Sequence, residues 1–542
     1  MLRSVGGQRL FTGTLVIAVV TALVLHFWRI GSAPGGLHPD ECSIAYNAYC
    51  IARTGADEYG TRWPVLFRSF DTYTDPVAVY SVVPVIDGFG LQEWTARLPS
   101  GLYCLMACVA FSLLLCQWGF GAWFALAGGF ALSVVPWVFP PSRNCSFAGY
   151  TAGLFGLITG LILTDSALRK RSYWLAIGAG AVWAFTFYTH QSVRPVLALL
   201  AVGSGVVLWR PLVRRWRVVL VIAVSALVFL LPMIVTAMRL PGALTARYQQ
   251  VGIFTATAQP VELAVGIASR YLDYFGPRFL WISGDHEMRH HTGQGGELYW
   301  CFLPLVLIGL WVAVRCCRRE PRYRVLLVGL LASPVTAALT IDRMHSSRGM
   351  YAVIFWLLLA AVGARAMWQY RRIGRQLLVV VCAAGILQSS MYFADYFGSY
   401  QTRCSFSYYK QVSDALRFCF RKLKNGETLY VSPTAYLPQG SLVNAEFKPF
   451  LYVQLLFYGR FDPQTYQRVG IPPESVCLYD GHVSHGGLLL TCNYVLVRTK
   501  GEEQPLAVPN PEPHPSSARL LATFAFDEVF RDEVFEVGPQ SR

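Results

Sequence analysis

Charged side chains are scarce in this chain. Asp, Glu, Lys and Arg make up 14% of its 542 residues against 54% hydrophobic ones, and the mean hydropathy is +0.41. That excludes a soluble enzyme of this length and leaves a polytopic membrane protein. No CxxC pair occurs among the 14 cysteines. Several of them, Cys104, Cys108, Cys116 and Cys382, lie inside apolar runs, so no cysteine-type zinc or iron–sulfur centre is expected. No period of 20 to 50 residues repeats, which removes solenoids and inverted-repeat transporters. No small-residue cleavage site follows the first apolar segment, Phe11 to Trp28, so that segment is expected to remain as a signal anchor. The formal charge of +15 sits in short basic clusters between apolar segments. That is a membrane-topology pattern, and no nucleic acid partner is expected.

What the chain does have is apolar segments of membrane length. At roughly 20 residues per span they predict eleven helices, near 11–30, 97–116, 120–139, 147–166, 173–189, 193–209, 218–236, 298–314, 325–341, 349–367 and 376–393. Arginine-rich turns at Arg169-Lys170-Arg171, Arg210 to Arg217, Arg315 to Arg324 and Arg371 to Arg375 fall at every second connection, which puts them in the cytoplasm by the positive-inside rule. Loops 31–96, 140–146, 190–193, 237–297 and 342–348 are then outside. From Ala394 onward Lys, Pro and charged residues increase and membrane-length apolar runs end. Helical periodicity over Tyr408 to Leu423, a turn at Asn425-Gly426, and strands at Thr428 to Val431, Tyr494 to Arg498 and Leu520 to Phe526 suggest a small α/β layer there. Cys404, Cys419, Cys477 and Cys492 gather in this region, where disulfides and free thiols are both compatible with an extracytoplasmic position. The expected fold class is an all-α polytopic membrane domain over 1–393 followed by a small extracytoplasmic α/β domain over 394–542.

About ten residues past the first apolar segment stand Asp40 and Glu41, in the run Gly36-Leu37-His38-Pro39-Asp40-Glu41. Adjacent carboxylates at a membrane edge repel, and they cost free energy unless hydrated, paired or functional. The polar residues that packing does not explain form five clusters in the outside loops. The first holds Asp40, Glu41, Asp57, Glu58 and Asp75, the second Ser142-Arg143, the third His190 to Arg194, the fourth Asp285 to His291 and the fifth Asp342 to Arg348. All five fall on one predicted membrane face. Arginine keeps its charge and offers several donors in a fixed fork, so an anionic ligand such as phosphate is the matching partner. Asp285, His286, Glu287, His290 and His291 resemble a metal site in composition. Their spacing matches no zinc motif, because adjacent His290 and His291 cannot both face one point on a helix. No metal site is expected, although the chemistry is compatible with a divalent cation.

The order of these motifs resembles that of the GT-C membrane glycosyltransferases, specifically the glycosyltransferase family 39 group with the protein O-mannosyltransferases and the lipid A aminoarabinose transferases. The resemblance is carried by His38-Pro39-Asp40-Glu41 with Ala45-Tyr46-Asn47-Ala48, by Asp57-Glu58-Tyr59-Gly60, Trp63-Pro64 and Arg97-Leu98-Pro99-Ser100. Later come Pro136-Trp137, Ser142-Arg143, Ser283-Gly284-Asp285 and Arg289-His290, then His345 and Arg348, across residues 35–365. It implies inverting transfer of a sugar from a polyprenyl-phosphate donor to a protein, lipid or glycan acceptor at the outer face of a bacterial-type inner membrane. Asp40, with Glu41 beside it, would be the catalytic acid pair, since a positioned carboxylate can take the acceptor proton. Arg143, Arg289, His290 and Arg348 would hold the lipid phosphate as it leaves. Asp57, Glu58, His190 and His345 would contact substrate. One departure is that relatives often carry Lys-Pro-Pro or His-Pro-Pro where this chain reads Thr74-Asp75-Pro76-Val77. Two rival readings are a transporter or flippase for a lipid-linked anion, which calls for ionisable residues deep inside spans, and a scaffold that binds through 394–542.

Overall fold

Each of the eleven apolar segments coincides with helix in the computed structural model, which describes residues 5–70, 72–254, 259–432, 451–479, 483, 486–492, 494–497, 506–509, 518–525 and 531–538. Six helices are long and apolar enough to cross a membrane: Gly6–Phe27, Glu93–Gln117, Cys145–Lys170, Trp216–Arg239, Ala352–Gln369 and Arg372–Phe397. Ala122–Val134, Val193–Val207 and Phe302–Cys316 are apolar but shorter. The protein is an integral membrane protein of mostly helical structure.

Two of the predicted loops contain regular structure. Residues 31–96 hold the helices Pro39–Thr54 and Pro76–Phe89 and an antiparallel hairpin that pairs Phe67–Ser69 with Thr72–Thr74. Residues 237–297 hold the helices Ala246–Val251 and Pro260–Asp273 and a wide turn over Arg278–Ile282. Neither loop has a continuous apolar run of membrane length, the signal that marks the eleven predicted spans.

The chain divides into two compact units, the first comprising Met1–Ile30, Val65–Ala78 and Arg97–Tyr400, the second Gly31–Pro64, Val79–Ala96 and Gln401–Arg542. In the first, Phe302–Cys316 crosses Ala352–Gln369 with Gly309 and Gly363 at the contact. A Cβ on either would overlap a main-chain carbonyl of the other helix, that of Leu359 or of Leu305. Small residues allow this close approach, which supplies van der Waals packing where lipid offers no hydrophobic drive. Gly363→Leu is therefore expected to destabilise the unit by several kcal/mol. Thermal unfolding in detergent should show a clearly lowered midpoint, and an unchanged midpoint would refute the tight crossing.

In the second unit a five-stranded sheet runs in the order Val476–Leu478, Thr428–Val431, Gly487–Cys492, Arg531–Val537, Arg519–Ala525. Its first three strands are parallel and the last two join antiparallel. The helix Lys410–Lys422 buries Val412, Leu416 and Cys419 against Leu429, Val431 and Leu490 of the sheet. The expected helix and the strands at 428–431 and from Leu520 are present, Tyr494–Val497 pairs instead with Leu506–Pro509 in a separate hairpin, and Arg498 and Phe526 lie outside the described residues. Cys419 is a free thiol, the Sγ atoms of Cys404 and Cys477 meet the carbonyls of Gln401 and Leu478, and the side chain of Cys492 lies outside the described residues. The first-loop helix Pro39–Thr54 belongs to this unit and packs on Leu451–Gly459 and Pro463–Val469. Tyr46 Oη donates to Phe461 O at 3.1 Å, and Leu37 N donates to Ser413 Oγ at 3.2 Å.

Candidate functional site

In the second unit the Asp40-Glu41 pair opens the helix Pro39–Thr54, where the first backbone N–H groups lack intrahelical partners and Pro39 has none to satisfy. His38 is the N-cap: its Nδ1 accepts from Asp40 N at 3.1 Å, while Glu41 Oε2 accepts from His38 N at 3.2 Å. That is a capping box. Glu41 is fully buried by it, whereas the Asp40 side chain remains 42% exposed, 3.3 Å from His38 Nδ1. The adjacent acids therefore have different tasks, and only Asp40 is open to a reactant. Asp57 Oδ1 accepts from Tyr59 N at 3.0 Å and Thr61 N at 2.7 Å, and burial lifts its pKa above the ordinary value despite those donors. Glu58 is bracketed by Asn47, whose Nδ2 donates to it at 3.0 Å and whose Oδ1 accepts from Glu58 N at 3.1 Å. Both residues build the turn that follows the helix.

The remaining residues singled out in the sequence are in the first unit. Arg143 is fully buried, and its guanidinium donates to Leu25 O at 2.6 Å, His26 O at 2.8 Å and Trp28 O at 2.7 Å. These are carbonyls from the last turn of the first helix and just beyond it, groups that have no partner within the helix. Arg143 is thus bound to main-chain carbonyls at the end of the first helix.

Those others converge. Burial, then the charges of Arg194, Arg348 and Arg247, hold the His190 imidazole well below its ordinary pKa; burial, then Arg348, His290, Arg289 and Arg247, do the same for His345. Both rings are neutral at neutral pH and sit in a field made by arginines. His190 stacks on Tyr150 at 3.8 Å between centroids, and Ser192 N donates to its Nδ1 at 3.1 Å, which leaves the proton on Nε2. Arg348 bonds Asp342 at 2.6 Å and Thr340 Oγ1 at 2.9 Å. Arg194 pairs with Asp75, so the acid found where relatives often have a basic residue is accompanied by an arginine. Arg247 meets only the Gln250 amide, at 3.1 Å, and no carboxylate among the described residues. Beside it the Tyr248 hydroxyl is buried without a hydrogen-bond partner, and burial pushes its pKa up to about 12.

Arg247 and Tyr248 were not singled out in the sequence, whereas Arg194 closes the third outside cluster. The helix Ala246–Val251 packs on the strand Thr72–Thr74, and Ile341 N donates to Val251 O at 2.9 Å. Those two contacts bring Arg247 beside the Asp342 to Arg348 segment, and no local pattern encodes them.

A second buried network adjoins His345. Asp285 Oδ2 meets His290 Nδ1 at 2.8 Å and accepts from Ser346 N at 2.7 Å, and its Oδ1 accepts from Glu287 N at 2.9 Å. Burial opposes its charge, but His290 and these hydrogen bonds outweigh that and hold Asp285 below the ordinary carboxylate value. Glu297 Oε1 accepts from Asp285 N at 3.0 Å and from Ser346 Oγ, and burial raises the Glu297 pKa well above normal. The Trp137 indole donates to Ser346 O at 2.9 Å, and the His290 and His345 rings lie 4.4 Å apart. Arg289, His290 and Arg348 lie near enough to act on the His345 ring, and Arg348 also acts on His190. Arg143 is engaged elsewhere in the same unit.

Comparison with known proteins gives a fold. No protein-family model matches the chain, and no curated protein matches it significantly. Among solved structures it is similar to ArnT from Cupriavidus metallidurans in the apo state, 17% identical with a TM-score of 0.57, covering 98% of this chain and 99% of that one. The same enzyme bound to undecaprenyl phosphate is 15% identical with a TM-score of 0.55, covering 98% and 100%. The archaeal oligosaccharyltransferase AglB from Archaeoglobus fulgidus, in complex with an inhibitory peptide and a dolichol-phosphate, is 12% identical with a TM-score of 0.51, covering 90% and 70%.

Proposed function

We propose that this chain, which has the GT-C membrane glycosyltransferase fold, transfers a sugar from a polyprenyl-phosphate donor to an acceptor hydroxyl at the outer membrane face, with inversion. The observation that carries the reading is the set of Arg194, Arg247 and Arg348 around neutral His190 and His345, with the orphan Tyr248 hydroxyl among them. Fixed guanidinium charge, two imidazoles and a buried donor without an acceptor suit a phosphate. ArnT and AglB are both described with a polyprenyl or dolichol phosphate, which supports that ligand for this fold.

In the reaction the acceptor oxygen attacks the anomeric carbon as its proton passes to a carboxylate, the carbon–oxygen bond to phosphate breaks, and the polyprenyl phosphate leaves with the electron pair. Asp40 is the proposed base. Arg348, Arg247 and Arg194 hold the charge that grows on the leaving phosphate, with Arg289, His345 and His190 beside them. Glu41, Asp57, Glu58 and Arg143 are assigned to folding by the hydrogen bonds they already make. Eleven crossings, domains of 1–393 and 394–542 and an extracytoplasmic C-terminal domain complete the proposal.

The test is transfer of labelled sugar from polyprenyl phosphate by the full chain in liposomes. Arg247→Ala is expected to lower kcat/KM about tenfold, equivalent to loss of about 1.4 kcal/mol of transition-state stabilisation. Wild-type protein that neither binds polyprenyl phosphate nor transfers the label would sink the reading.

A further inference from the structure

We infer that Asp285, His290 and His345 form a zinc site. Their candidate ligand atoms, one carboxylate oxygen and one nitrogen from each ring, all lie within 4.8 Å of one another. Two imidazoles with a carboxylate suit zinc better than the oxygen-loving magnesium or calcium. A tetrahedral zinc with bonds of about 2.0–2.2 Å places its ligand atoms roughly 3.3–3.5 Å apart. The 2.8 Å contact of Asp285 with His290 opens slightly to admit the ion, and His345 closes onto it.

A second polar network adjoins this group. Ser346 bonds Asp285 through its N–H and Glu297 through its hydroxyl, so one residue bridges two buried carboxyl groups. Glu297 Oε2 and His291 Nε2 are buried there with no hydrogen-bond partner among the described residues, a costly state in a low-dielectric interior. Gly284, at φ +63, leaves the space open. A Cβ there would come to 2.7 Å from His291 Nε2 and 3.0 Å from Glu297 Oε1.

The sequence argument against a metal assumed a helix and neighbouring histidines. Residues 285–291 are not helical, and the second imidazole comes from the distant His345. The ion joins the turn carrying Arg289 to the segment carrying Arg348. Only that consequence rests on the proposed donor site, since metal binding is measured without activity.

The experiment uses the full chain in detergent, equilibrated with zinc and desalted, with metal content measured by mass spectrometry. About one zinc per chain is expected. His345→Ala and Asp285→Asn should each lower retention about tenfold, and His286→Ala, at an exposed neighbour, should leave it intact. If a variant fails to fold, the wild type decides: chelation should lower its thermal midpoint and zinc, but not magnesium, should restore it. Wild-type protein that retains less than about a tenth of an equivalent, or a folded His345→Ala variant that retains zinc as well as wild type, would overturn the inference.

Discussion

Asp40→Asn is expected to lower sugar transfer by about 10²–10⁴-fold, the range for loss of a positioned general base, with donor affinity unchanged. The substitution keeps the shape but removes the proton acceptor. Because the Asp40 side chain is 42% exposed, the variant should fold, so a fall in kcat reports chemistry. Glu41→Gln is the matched control. It keeps an acceptor oxygen for His38 N in the capping box, so transfer should persist, with a stability loss of about 1 kcal/mol or less. If Asp40→Asn transfers at the wild-type rate in the liposome assay, Asp40 is not the base.

Arg348→Ala is expected to lower kcat by about 10²–10³-fold, the scale for deleting one preorganised donor to transition-state charge. Arg348→Lys should recover only part of that, since an ammonium keeps the charge and loses the fork. Arg348 also bonds Asp342 at 2.6 Å, and the Asp342 side chain is 44% exposed. An exposed partner is readily rehydrated, so the stability cost should be small. Asp342→Asn separates the two roles: it removes the partner carboxylate and should leave most of the transfer. Equal losses in Asp342→Asn and Arg348→Ala would mean that Arg348 acts through loop structure.

Legibility in the sequence followed the range of the interaction. The Asp40-Glu41 pair was conspicuous as two acids at a membrane edge, yet its division into an exposed Asp40 and a buried Glu41 depends on the capping geometry of a helix that apolar-run counting did not predict. Arg143 had the same sequence credentials as Arg348, but one grips Leu25, His26 and Trp28 while the other joins the arginine cluster. Asp75 reads as a departure from the family pattern until Arg194 is seen bonded to it. Arg247 had no local signal, because its place comes from a short helix lying on the Phe67–Ser69 and Thr72–Thr74 hairpin.

By itself the sequence determined that the protein lives in a membrane, where its apolar helices lie, and that an α/β region follows them. Those properties come from the length and composition of contiguous segments, which the chain carries locally. Only the tertiary structure decided which charged residues are spent on folding and which remain to meet a ligand. That choice depends on burial, ion pairing and orphaned main-chain groups supplied by distant segments: Leu25 to Trp28 for Arg143, Asp75 for Arg194, and the Asp285 turn for His345.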